Sequence, residues 1–235
     1  MSTTAMTPST EGALSDSALL GLLQLTSPAL PIGGFAWSQG LETAVDLGWV
    51  DSDTALEYWL AGVLSEGLAH TDLALLVRLH DACHRRCARQ FRAWNQYTLA
   101  CRETRELHEE DTQMGAALIR VLRGLDLLPE WPALPSDVSY LSAFALAAVA
   151  HGVTVRAALT GLAWSWLENQ LAVACKTVPI GHTAAQRIQR ALHPAIITAC
   201  DLALACPDEQ IGTSLPGVAL ASCHHETQYT RLFRS

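Results

Sequence analysis

His80, Cys83, His84 and Cys87 recur at one-turn spacing, so imidazoles and thiols would share one helix surface. These are borderline and soft ligands, and their shared chemistry would be binding a divalent transition metal. The cysteine spacing is C-x-x-x-C, no second ligand pair follows at zinc-finger distance, and Arg85 and Arg86 lie alongside. A solvated surface with two half-buried thiols accounts for the pattern more simply. Ser38 sits in Ala36-x-Ser38-x-Gly40, a variant of the nucleophile elbow of α/β-hydrolases. That elbow needs a buried strand before it, whereas Pro31, Gly33 and Gly34 precede it here, so Ser38 reads instead as a helix N-cap. His108-Glu109 and His225-Glu226 begin like H-E-x-x-H but lack the second histidine. Arg102 with Glu106 and Arg105 with Glu109 have the spacing of a surface charge ladder.

Two features survive this comparison. Lys176 is the single lysine in a chain with fourteen arginines, at the end of a very apolar helix and just before Pro179-Ile180-Gly181. A cation there complements the helix dipole, yet a lone lysine among arginines also points to a specific contact. The second is the segment from His225 to Ser235, which interleaves Tyr229, Arg231, Phe233 and Arg234, residue types that anchor protein interfaces.

The elements that must position these residues read as helices throughout. Ser15 or Ser17 caps an apolar run from Leu19 to Leu25, which ends before the turn chemistry of Ser27-Pro28-Ala29-Leu30-Pro31-Ile32-Gly33-Gly34. A short helix around Gln39–Leu47 follows, then helical stripes opening near Asp51 or Asp53, at Thr71, and through Phe91, Trp94, Thr98 and Cys101. Leu107, Met114, Leu118, Leu122 and Leu125 form the next stripe, stopped by Pro129, Pro132 and Pro135. Helices then start at Ser136, at Thr154 and near Thr183, the last carrying Ile188, Leu192, Ile196 and Ala199. The expected fold is an all-α, single-domain helical bundle of about eight to ten helices. Residues 1–14 read as a disordered tail, 15–205 as the helical body, and 206–235 as a loop followed by a tail that adds little to the core.

Composition bounds the function. The 235 residues are half apolar and 16% charged, which excludes a disordered chain. The net charge of -8 argues against a partner held by phosphate neutralisation, so no nucleic acid is expected. Cys175 stands before the single lysine where a P-loop needs glycine, so the chain is no P-loop nucleotidase. Seven cysteines without a signal-peptide pattern fit a reducing, cytoplasmic location. The most apolar windows, 140–155 and 159–175, are too short or too polar to span a bilayer, so no membrane is expected.

Three segments together are similar to a known family. They are the run from Leu25 to Glu42; Glu103-Thr104-Arg105-Glu106-Leu107 with Met114-Gly115; and Trp164 to Gln170 with Lys176-Thr177-Val178-Pro179-Ile180-Gly181-His182-Thr183. With His225-Glu226 and Arg231 to Ser235 they resemble the urease accessory proteins of the UreF type over about 20–235. Ile180 and His182 are small departures from a Pro-Leu-Gly-Gln type of sequence. The resemblance implies an all-helical, dimeric, cytoplasmic accessory protein that is not an enzyme. It further implies partners: the accessory protein called D or H, the nickel-carrying accessory GTPase called G, and apo-urease, with Ni²⁺ as transient cargo and no resident cofactor or metal site. By the same resemblance Lys176 falls beside a GTPase-facing surface, while Glu226, Tyr229, Arg231, Phe233 and Arg234 fall on the part that docks the D/H protein. Pro31, Gly33 and Gly34 would form a structural turn. The alternative reading is a helical metal store or sensor built on His80, Cys83, His84 and Cys87.

Overall fold

Hydroxyl caps set five of the helix starts among the described residues. Ser15, Ser52, Thr104, Ser139 and Thr154 each accept a hydrogen bond from the backbone N–H three residues on, at 3.0–3.4 Å, satisfying a donor that the first turn leaves free. The computed structural model describes residues 14–128 and 134–235, so the tail expected over 1–14, Leu14 apart, lies outside the described residues, as do Pro129 and Pro132.

The elements are α1 (Asp16–Leu25), α2 (Leu41–Asp46), α3 (Asp53–Gly62), α4 (Asp72–His84), α5 (Ala88–Ala100), α6 (Arg105–Gly124), α7 (Tyr140–Ala150), α8 (Val155–Thr177), α9 (His182–Ala191), α10 (His193–Ala205) and α11 (Pro216–His225). A π-helical segment, Val63–Leu68, joins α3 towards α4, and short 3-10 turns lie at Gly34–Ala36 and Asp208–Gln210. Among the described residues there is no strand. The all-α, single-domain expectation holds, with eleven α-helices among the described residues against the eight to ten expected.

α4 and α7 form the centre. Leu73, Leu75, Leu76 and Leu79 of α4 and Phe144 of α7 are wholly buried, and α4 packs on α5, α7, α8 and α10. α7 is buried on every side from Leu141 to Ala148, with Ser142 its one polar residue there, the mark of a helix surrounded by others. Among the described residues no single helix is long and apolar enough to cross a membrane; α3 with its π segment and α4 are so only as a pair, bent by 42°. Gly115 lets α6 lie directly on the turn before α7, where an added Cβ would stand 2.0 Å from the Val138 carbonyl oxygen.

Two expectations about elements are corrected. The long helix from about Thr183 is two helices, because Pro194 cannot continue α9 and sits instead in the first turn of α10. The stretch 206–235 is not a loop with a peripheral tail. α11 lies within it and packs on α2, and Ala221, Ser222, His225, Phe233 and Ser235 are all buried.

Candidate functional site

α11 ends at a histidine enclosed by two carboxylates. His225 Nδ1 lies 2.7 Å from Glu106 Oε2 and Nε2 lies 3.2 Å from Glu42 Oε2. An ionised carboxylate only accepts, so either both ring nitrogens carry protons or one glutamate keeps its own. Glu42 in α2 and Glu106 in α6 each stand in a first turn, where the helix N-terminus favours negative charge. Both then hold the segment beyond α11. Glu106 Oε1 accepts from Arg231 Nη1 at 2.9 Å. Glu42 accepts the backbone N–H of Leu232 at 2.7 Å and of Phe233 at 3.0 Å.

The rest of the segment is fastened to the body in the same way. Thr43 Oγ1 donates to Gln228 Oε1 at 2.9 Å, and Ser222 and Thr104 share a hydroxyl hydrogen bond of 2.7 Å. The Arg234 guanidinium lies 4.7 Å over the Trp37 ring, and its backbone N–H donates to the Ala36 carbonyl at 2.8 Å. Ser38 donates its N–H at 2.7 Å and its hydroxyl to the Ser235 carbonyl oxygen. Ser38 therefore ties down residue 235, and the N-cap of α2 is Gly40, not Ser38.

A second polar cluster lines a cavity of about 420 Å³ between the 3-10 turn, the π segment, α6 and α8. Arg102 donates to Asp111 Oδ2 at 3.0 Å and pairs with Asp72 Oδ1 at 2.9 Å. Burial works against its charge, but Asp111 and Asp72 outweigh that and keep the guanidinium protonated. Gln39, with a left-handed φ of 53°, bridges the cavity wall. Its Nε2 donates to Glu110 Oε1 at 2.8 Å, while its Oε1 accepts from Trp166 Nε1 at 2.8 Å. Glu110 Oε2 is buried with no partner among the described residues. Burial pushes the Glu110 carboxyl up to about 8, against the opposing pull of Gln39 and Arg102. At neutral pH the group is mostly an uncharged acid.

The residues expected to bind partners fall into different settings. Tyr229 is fully exposed and Leu232 largely so. Arg231 is half-exposed on Glu106, and Glu226 accepts from the Arg105 N–H at 3.2 Å. Phe233 is buried, with Lys176 Nζ 5.2 Å from its ring centroid. Lys176 thus closes the last turn of α8 and covers the tail, uniting two features that the sequence left separate. Gly33 has a φ of 78° and Gly34 opens the 3-10 turn, both beside Pro31.

Other readings of the sequence change. The surface ladder is absent, because α6 starts only at Arg105; Arg102 turns to Asp72 and Asp111, Arg105 to Glu226, and Glu106 to His225. At the His/Cys surface, His80 Nε2 is 2.9 Å from the Val153 carbonyl, and burial pushes the Cys83 thiol up to about 12. A thiol so hard to ionise is a poor metal ligand. The sequence shows Glu42 and His225 only within the family-like segments and the incomplete H-E-x-x-H, and it gives neither them nor Glu110 a role in a cluster. No spacing rule links positions 42, 106 and 225, and the only signals were first-turn acids beside Gly40 and Thr104.

Fold and clusters define an all-α single-domain protein whose buried charges tie its own elements together. The UreF family profile matches residues 50–193. The chain is 54% identical over 218 residues to the urease accessory protein UreF of Chromohalobacter salexigens, covering 93% of this chain and 95% of that one. It is 54% identical over 220 residues to the UreF of Marinobacter nauticus, covering 94% and 95%. With the UreF of Psychrobacter cryohalolentis it shares 53% over 227 residues, covering 95% and 97%. The chain belongs to the UreF family of urease accessory proteins.

Proposed function

We propose that this accessory protein acts in the cytoplasm as a homodimer. It joins the D/H accessory protein and recruits and regulates the nickel-carrying GTPase that loads apo-urease. Ni²⁺ is cargo of that assembly and not a resident cofactor. The observation that carries the reading is identity above half over nearly the whole length of proteins named urease accessory protein UreF. The exposed Tyr229 and Leu232, held out from a segment otherwise clamped to the body, support a docking role for this edge. Lys176 supports it indirectly, by lying over Phe233 of the same segment.

The test is co-expression with the D/H protein, the GTPase and apo-urease. Tyr229→Ala with Leu232→Asp should leave the melting temperature unchanged while abolishing co-purification of the D/H protein and nickel-dependent urease activity. Wild-type co-purification and activation by this double variant would overturn the assignment of this edge.

A further inference from the structure

A groove of about 490 Å³ runs between the turn at residues 31–37 and α6, beside the docking edge. One wall is apolar: Pro31, Ile32 and Phe35, the last 70% exposed. The other is a single stripe of α6, Gln113, Ala116, Ala117 and Arg120, at helical spacing. Arg234 closes the end. Two arginines line this groove and no acidic residue does, in a chain whose net charge is -8.

Neither cation pairs with a carboxylate among the described residues. Among the described residues Arg120 has no ion-pair or hydrogen-bond partner, and Arg234 donates from Nη1 only to the neutral Gln113 at 2.9 Å. The buried Trp37 ring, 4.7 Å from Cζ, and Gln113 position the Arg234 guanidinium and leave its other N–H groups for a further acceptor. A guanidinium fork matches a carboxylate bidentately. Small Ala116 and Ala117 between the arginines leave room for an apolar side chain against Phe35 and Ile32.

We infer that this groove receives an extended segment of a partner protein in which acidic residues alternate with apolar ones. The carboxylates pair with Arg120 and Arg234, and the apolar side chains lie on Phe35, Ile32 and the two alanines. The inference deepens the docking role proposed above and rests on it for the presence of a protein partner; the chemistry of the groove does not depend on which partner that is.

The experiment titrates the full chain, labelled with ¹⁵N, with an acetylated, amidated peptide of alternating glutamate and leucine. Shifts should centre on the Trp37 indole N–H and the amides of Phe35, Ala116, Ala117 and Arg120. Glutamine in place of glutamate, or Arg120→Glu in the protein, should weaken binding about tenfold or more. Arg120 is exposed, so that variant should keep its melting temperature. Equal binding of the glutamine peptide, shifts elsewhere, or unchanged affinity in Arg120→Glu would each overturn the inference. Capture of the D/H protein is measured separately: peptide binding without capture removes the docking role and keeps the groove, while capture without peptide binding does the reverse.

Discussion

Glu110 places an ionisable group where water cannot reach one of its oxygens, and its protonation is therefore coupled to folding. Its carboxyl is raised by burial from 4.5 to about 8. The folded state therefore binds a proton that the unfolded state has already released between those values. The stability this gives is complete below about 4.5 and is lost as pH rises through about 8, at up to about 1.4 kcal/mol per pH unit. Denaturant melts across pH 5 to 8 should show falling stability, and Glu110→Gln, which can still accept from Gln39, should flatten that dependence. An identical slope in both proteins would remove Glu110 as its source. The Glu42–His225–Glu106 cluster makes the opposite kind of demand. Replacing His225 with Ala leaves two buried carboxylates facing each other with only Arg231 and two backbone N–H groups, a loss of about 3–5 kcal/mol for a broken buried pair. Urea melts would measure it, and a loss under about 1 kcal/mol would mean that water or a proton replaces the imidazole without cost. Glu42, Glu106 and His225 lie far apart in sequence, so the charges were legible as residues but not as a cluster.

Helix starts were the most readable feature at the scale of elements, because a cap acts within three residues. Ser15 and Thr154 cap where the pattern placed them. Boundaries governed by distant packing were not readable. α11 has apolar residues on no single face, so nothing local announced that it would close over α2. Removal of 222–235 was expected from sequence to cost little. The structure reverses that expectation, since the cut removes His225, Arg231 and the two N–H donors from Glu42 and Glu106. Truncation after Ala221 should lower the melting temperature by roughly 10 °C or unfold the chain; a transition within about 2 °C of full length would restore the peripheral tail. Gly115 is the sharper probe of helix approach. Gly115→Ala puts a methyl into the Val138 carbonyl and should destabilise by about 3 kcal/mol by forcing α6 from the turn before α7. An unchanged denaturation midpoint would show that the turn moves freely.

Across the whole molecule, most of the acidic excess lies on the surface while a minority of charges is drawn inside to fasten α2, α6 and α11 together. Purified chain should hydrolyse neither GTP nor ATP, since Cys175 precedes its single lysine and no P-loop can form. Turnover that persists after removal of every partner GTPase would contradict this. Helical periodicity, hydroxyl caps and the proline breaks are local quantities, and they sufficed for the all-α class and for most of the helix starts. The run from Leu25 to Glu42, Glu103 to Leu107 with Met114-Gly115, and Trp164 to Gln170 with Lys176 to Thr183, together with His225-Glu226 and Arg231 to Ser235, sufficed for the family likeness. What the tertiary structure alone decided is which distant residues share an environment: that Lys176 lies on Phe233, that Arg234 lies on Trp37, and that His225 sits between Glu42 and Glu106. A pattern of 3.6 residues reports which face of a helix is apolar, not which other helix covers it. Burial of a charge, and hence its proton affinity and its partner, is set by that covering element.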